Sequence, residues 1–174
     1  MPEREGPGVL EAWRSIPAAI AEAVRDADDA LLDRRISGSG MSIREQTHHL
    51  VEAHVVASSI VIAGLGMPGS TYDWSWMLPF GPWMERLPYR SLPLPVSLDA
   101  LRALNAWVAA VVAGTQDGLS RELQLRDEPG AEPRRVSVAD VLQQEVDHTA
   151  EHVAEIRAAR QEIGGNPGRA EQRS

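Results

Sequence analysis

The chain has 174 residues and a formal net charge of −8, a size that suits one domain with a core of its own. It has no cysteine, and all 17 basic residues are arginine; disulfides, thiolate metal sites, cysteine nucleophiles, Schiff-base lysines and a P-loop lysine are therefore excluded. The acidic balance, with no arginine run longer than a pair, argues against a nucleic-acid partner. No apolar run of eighteen residues suggests a membrane span, so a cytoplasmic protein without membrane partners is expected.

Met1 to Gly8 is charged and rich in proline and glycine, and residues 1–8 are expected to be flexible. From Val9 to Ala30 the apolar residues Leu10, Trp13, Ile16, Ile20 and Val24 recur at helical steps, predicting a first helix that Pro17 should kink or divide. A turn-rich stretch follows at Ile36–Gly40. Ser42-Ile43-Arg44-Glu45 then reads as a capping box that opens a second helix, running to about Leu65.

Between Gly66 and Val96 the periodicity collapses while prolines and aromatics concentrate. A connection of this length is often functional. It is expected to pack over the domain as a lid or pocket wall, with Tyr72, Asp73, Trp74, Trp76 and Trp83 as candidate pocket residues. Ser97-Leu98-Asp99 predicts a third helix to about Thr115, and Gly118 to Arg135 reads as turns and loop. A fourth helix is expected from Ser137, with Asp140 completing a weaker capping box, to about Ile163. Gly164, Gly165 and Pro167 stop it, leaving a flexible tail over 164–174. Four helices and no convincing strand give an all-α four-helix bundle over 9–163. The long second connection lets helices 2 and 3 run parallel, in up-down-down-up order.

The chain's chemistry concentrates in its histidines. All five lie in two windows: His48, His49 and His54 in the second helix, His148 and His152 in the fourth. The i,i+4 spacing of His148 and His152 puts two imidazoles one turn apart on one face, able to grip one metal ion. On a helical wheel, His49 lies at the edge of the apolar sector of helix 2 and His48 points outside it. His54 sits near the opposite edge, and both it and His48 read as solvated or partly buried polar residues. Glu145 shares the buried side of helix 4 with the histidine pair. Burying these groups is costly unless they are paired or bound to a cation, so His49, His148 and His152 are the candidate metal ligands. No HExxH is present, which removes zincin-type protease chemistry.

The run Ser42-Ile43-Arg44-Glu45-Gln46-Thr47-His48-His49-Leu50-Val51-Glu52-Ala53-His54 resembles the second-helix motif of the DinB/YfiT-like superfamily. The run His148-Thr149-Ala150-Glu151-His152-Val153-Ala154-Glu155-Ile156 is similar to that family's fourth-helix motif. The likeness covers about Trp13 to Ile163. It implies an up-down-down-up bundle that binds a divalent metal, nickel or zinc, through one histidine of helix 2 and the HxxxH of helix 4. By position these are His49, His148 and His152. It also implies pairing into homodimers.

Three neutral imidazoles leave a metal its full charge and an open position, the arrangement that lowers the pKa of water from about 15.7 to about 7. Glu145 is the candidate general base or partner to a ligand, with Glu52 the weaker candidate; a salt bridge from Glu145 to an arginine such as Arg102 is the structural alternative. Three functions follow: metal-dependent hydrolysis of a small molecule, a transferase or isomerase that uses a low-molecular-weight thiol of the mycothiol or bacillithiol type, or a non-catalytic, stress-related metal-binding bundle. A thiol substrate would need an arginine-lined mouth, for which Arg44, Arg86 or Arg90 are candidates.

Overall fold

The computed structural model describes residues 6–36, 39–73 and 92–164. Of the expected flexible ends at 1–8 and 164–174, residues 1–5 and 165–174 lie outside them, as do the candidate pocket residues Trp74, Trp76 and Trp83; residues 6–8 instead begin the first helix and Gly164 ends the last. Four long helices form the frame: α1 (Gly6–Ala23), α3 (Ile43–Gly66), α4 (Leu94–Gly114) and α5 (Val138–Gly164), with a single-turn α2 (Asp29–Leu32) between α1 and α3.

The helix starts follow local chemistry. Ser42 Oγ accepts from Glu45 N at 3.1 Å while Glu45 Oε2 accepts from Ser42 N at 2.8 Å, so two backbone donors of the first turn are satisfied reciprocally. Ser137 and Asp140 repeat the device at α5 with distances of 3.0 and 3.1 Å. Helix α4 begins at Leu94, ahead of the predicted Ser97. Its two flanking prolines, which read as loop in the sequence, are tolerated because a first helical turn uses no amide donor.

Pro17 does not divide α1, which runs unbroken through it. The i→i−4 bond that Pro17 cannot make would have gone to the carbonyl of Trp13. That carbonyl accepts instead from Asn105 Nδ2 of α4 at 2.8 Å, which removes much of the cost of the missing bond. Helix α1 stops at Ala23, short of the predicted Ala30. Arg160 of α5 donates to the carbonyls of Ala23 (2.6 Å) and Arg25 (2.8 Å), and Asp26 turns into the left-handed region at φ 57°.

Contacts between named residues fix the helix directions. Along α3 and α4, His48 meets Ser97 and His54 meets Asn105, so these helices run parallel. Along α3 and α5, Gln46 meets Glu155 and His54 meets Thr149, so that pair is antiparallel. Trp13 bonds to Asn105 and Ala23 to Arg160, so α1 runs with α5 and against α4. The order is up-down-down-up, as the long connection predicts. Each helix packs on two others, with α1 facing α3 and α4 facing α5 across diagonals. The core between them holds Trp13, Ile20, Leu50, Leu101, Val108, Leu142 and Ile156. By length and composition alone α3 and α4 could cross a membrane, a test that core helices of a bundle also pass; both bury polar side chains, such as Gln46, His54, Ser97 and Asn105, against their neighbours.

A small sheet corrects the expected loops. β1 (Thr71–Asp73) pairs in parallel with β2 (Glu122–Arg126), and β2 pairs antiparallel with β3 (Arg134–Ser137). Leu123 and Leu125 point inward between polar Glu122, Gln124 and Arg126, the two-residue alternation of a half-buried strand. The sheet rests on the far end of α3, where Gly64 allows close approach: a Cβ there would sit 3.1 Å from Leu123 and 3.2 Å from Val138.

Candidate metal centre

Midway along the seam of α3 and α5, three half-buried histidines meet: His49, His148 and His152, with ring nitrogens within 4.8 Å of one another. Ring centroids of His148 and His152 lie 4.7 Å apart, and the His49 ring stands nearly perpendicular to both, at 85° and 83°. The structure thus brings together the three histidines that the spacing selected.

The two rings of α5 are each held from behind. His148 Nδ1 lies 3.1 Å from Glu145 Oε1, three residues before it, and His152 Nδ1 lies 3.1 Å from Glu155 Oε2, three residues after it. An ionised carboxylate only accepts, so each Nδ1 carries the proton and each Nε2 keeps its lone pair. These two Nε2 atoms lie 3.0 Å apart. Two lone pairs so close repel unless a proton or a cation lies between them. Donors at about 2.0–2.1 Å from one zinc-like ion fit this separation, and the two carboxylates behind the rings balance a divalent charge. The residues present fit a divalent metal.

Glu155 is braced in turn from α3. Gln46 Nε2 donates to Glu155 Oε2 at 2.6 Å, and His54 Nε2 lies 3.5 Å from Glu145 Oε1. The bond to Glu145 raises the His148 imidazole above its ordinary value of 6.5, against the opposing effect of partial burial; the negative charges of Glu145, Glu151 and Glu155 add to the rise. Burial lowers His54 below 6.5, partly offset by Glu145 and Asn105.

Several expectations change here. His48 and His54 are fully buried rather than solvated or partly buried, because α3 is covered by both α4 and α5 and the wheel assumed one buried face. His48 turns to α4, where its Nδ1 meets Ser97 Oγ at 3.0 Å. Glu145 pairs with histidines and Arg102 with Asp99, so the alternative salt bridge is not formed. Glu52 is half-buried, one turn beyond His49 on α3. Arg44 is committed to Asp29 and Asp33, which raise its pKa and tie α2 to α3; Arg86 and Arg90 lie outside the described residues. Tyr72 and Asp73 are held away from the histidines by strand pairing with β2. The Tyr72 hydroxyl bonds to Ser59, about 15 Å along α3 from His49, and Asp73 pairs with Arg126.

The sequence reading passed over Glu155, Gln46 and Asn105. A mirrored pattern, Glu145-x-x-His148-x-x-x-His152-x-x-Glu155, was available as the signal for Glu155. A groove of about 500 Å³ adjoins His148 and follows α5 toward β3, lined by Arg134, Arg135, Gln144, Asp147 and Glu151 among others.

A four-helix bundle in up-down-down-up order, with three imidazoles gathered across one seam, defines the class of this protein. Residues 12–156 match the model of the DinB superfamily, and the chain belongs to that family. Its structure is similar to that of YfiT from Bacillus subtilis, a probable metal-dependent hydrolase with an unusual four-helix bundle topology; the TM-score is 0.77 at 20% identity, over 94% of this chain and 90% of that one. No curated protein matches the chain.

Proposed function

We propose that this protein is a metal-dependent enzyme that hydrolyses a small molecule, with His49, His148 and His152 holding one divalent ion, zinc or nickel. The observation that carries the reading is the pair of Nε2 lone pairs of His148 and His152 facing each other at 3.0 Å, with His49 beside them. YfiT, a probable metal-dependent hydrolase with a similar fold, adds support.

When bound, such an ion supplies Lewis acidity, polarising an oxygen of the substrate and lowering the pKa of water. The chain's own residues prepare the site. Glu145 and Glu155 accept the Nδ1 protons of the two α5 rings, fixing their tautomers and aiming Nε2 inward. Because Glu145 lies behind its ring, its role is to position His148 rather than to act as the general base. The substrate approaches along the groove beside His148. Arg134 is already engaged there by Asp127 and Gln144, and Arg135 by Glu122. With Asp147 and Glu151 also present, the groove carries both signs of charge and suits a small polar molecule.

The test is turnover of a panel of small esters and amides by protein stripped with a chelator and reloaded with zinc or nickel. Turnover should vanish on stripping, return on reloading, and be absent in His148→Ala. Saturable binding of a low-molecular-weight thiol without hydrolysis would instead favour the transferase reading. A fourth protein ligand closing the ion would favour the non-catalytic bundle.

A further inference from the structure

Gln46 lies one turn before His49 on α3, and its side chain is fully buried. Its Nε2 donates to Glu155 Oε2 at 2.6 Å, and the same oxygen accepts from His152 Nδ1 at 3.1 Å. This contact fixes the orientation of the amide. An ionised carboxylate accepts and cannot donate, so Nε2 must face Glu155 and Oε1 must face away from it. Among the described residues no donor reaches that Oε1. Buried side-chain carbonyls in folded proteins nearly always find a donor, and one that does not costs stability. The bond at the other end of the amide offsets little of this cost, because the Glu155 side chain is 46% exposed and water can serve its oxygen. A methionine would fill the same space without burying a carbonyl.

What the bond achieves is a connection. Gln46 and His49 occupy adjacent turns of α3, and His152 and Glu155 occupy adjacent turns of α5. An ion shared by His49 and His152 ties the two helices at one level. The Gln46–Glu155 bond ties them again one turn away, and the two backbones close the ring. Within such a ring the first tie holds the partners of the second close together, so the second forms as an intramolecular contact. The held carboxylate also keeps the proton on His152 Nδ1 and leaves its Nε2 lone pair toward His148.

We propose that Gln46 is a positioning residue that serves the metal centre and destabilises the metal-free fold: it holds Glu155 behind His152, and in doing so leaves a buried carbonyl without a donor. The proposal rests on the three-histidine reading above and adds an opposition between metal affinity and stability at one side chain. The two effects are linked. An apolar replacement stabilises the metal-free protein, binds the ion more weakly, and so loses part of its advantage when metal is in excess.

The test measures both quantities on the full-length protein: urea unfolding after treatment with a chelator, and Co²⁺ affinity from the visible absorption of the Co²⁺ form. Metal-free Gln46→Met should unfold at a higher urea concentration than wild type. Its Co²⁺ binding should weaken about 3- to 5-fold, less than the loss from removing the carboxylate itself. In a Glu155→Ala background, where there is no carboxylate to hold, Gln46→Met should leave the affinity unchanged. Gln46→Leu, with a shorter side chain, guards against a misfit of methionine and should behave in the same way. If both metal-free variants unfold more easily than wild type, the proposal is overturned. It is overturned equally by an unchanged affinity, or by the same loss with and without Glu155, and in each case the three-histidine site stands. Failure of the wild type to bind Co²⁺ stoichiometrically overturns both.

Discussion

His148 and His152 point their Nε2 atoms at each other across 3.0 Å while each has its Nδ1 tied to a carboxylate on the outer side. The two glutamates stand on opposite sides of the pair along α5, one turn before and one turn after. This symmetry leaves both inner lone pairs available at once, the electronic requirement for sharing one cation. His49 reaches the same place from α3.

Alanine in place of His49, His148 or His152 should each remove most of the affinity for zinc or nickel, measured by calorimetry or by retained metal after gel filtration. His48→Ala should keep the metal, because that ring bonds to Ser97 on α4. Its cost should fall on stability instead, about 1–3 kcal/mol in urea unfolding, since Ser97 loses a buried partner.

The second brace is testable separately. Glu155→Gln should weaken metal binding by about tenfold in chelator competition, the low end of the range for partners behind a ligand, because Glu155 is half exposed to water. Gln46→Ala, which releases that carboxylate, should act in the same direction and by less.

In metal-free protein, stability should depend on pH through two histidines of opposite sign. His54 is held below its ordinary value of 6.5 by burial. Below about pH 6.5 the unfolded chain binds a proton that the folded protein refuses, so this contribution is complete above 6.5 and is lost as pH falls toward the folded value. His148 is raised above 6.5 by Glu145; its contribution is complete below 6.5 and is lost as pH rises through the raised value. The stability advantage of wild type over His54→Gln, from urea unfolding in chelator, should therefore shrink between about pH 8 and about pH 5.

Away from the centre, Ser42→Ala should cost about 1 kcal/mol through loss of the capping box at α3. Gly64→Val should cost about 1–3 kcal/mol, because Leu123 and Val138 already crowd that position. Urea unfolding with metal removed checks both.

Much of this arrangement was legible in the chain. The three- and four-residue steps from Leu10 to Val24, the capping box at Ser42 and the HxxxH at His148 each encode local geometry, and local geometry sufficed to place the helices and to select the three histidines that the fold brings together. What was hidden depended on which helices lie beside one another. A wheel with one buried face could not show that α3 is covered by both α4 and α5, so His48 and His54 read as solvated or partly buried. Gln46 finds Glu155 across 109 positions, and Asn105 finds Trp13 across 92. No spacing rule reaches that far. The strand Glu122–Arg126 was missed for another reason: five residues of alternation beside a Pro-Gly turn resemble a loop until a second strand is known to pair with them.

The most direct test of the central claim is X-ray absorption spectroscopy of the zinc- or nickel-loaded protein, compared with His49→Ala. The account predicts one ion per chain with three imidazole nitrogens at about 2.0–2.1 Å and at least one exchangeable oxygen, and one imidazole fewer in the variant. An ion with fewer than three imidazoles in the wild type, or an unchanged spectrum in His49→Ala, would contradict it.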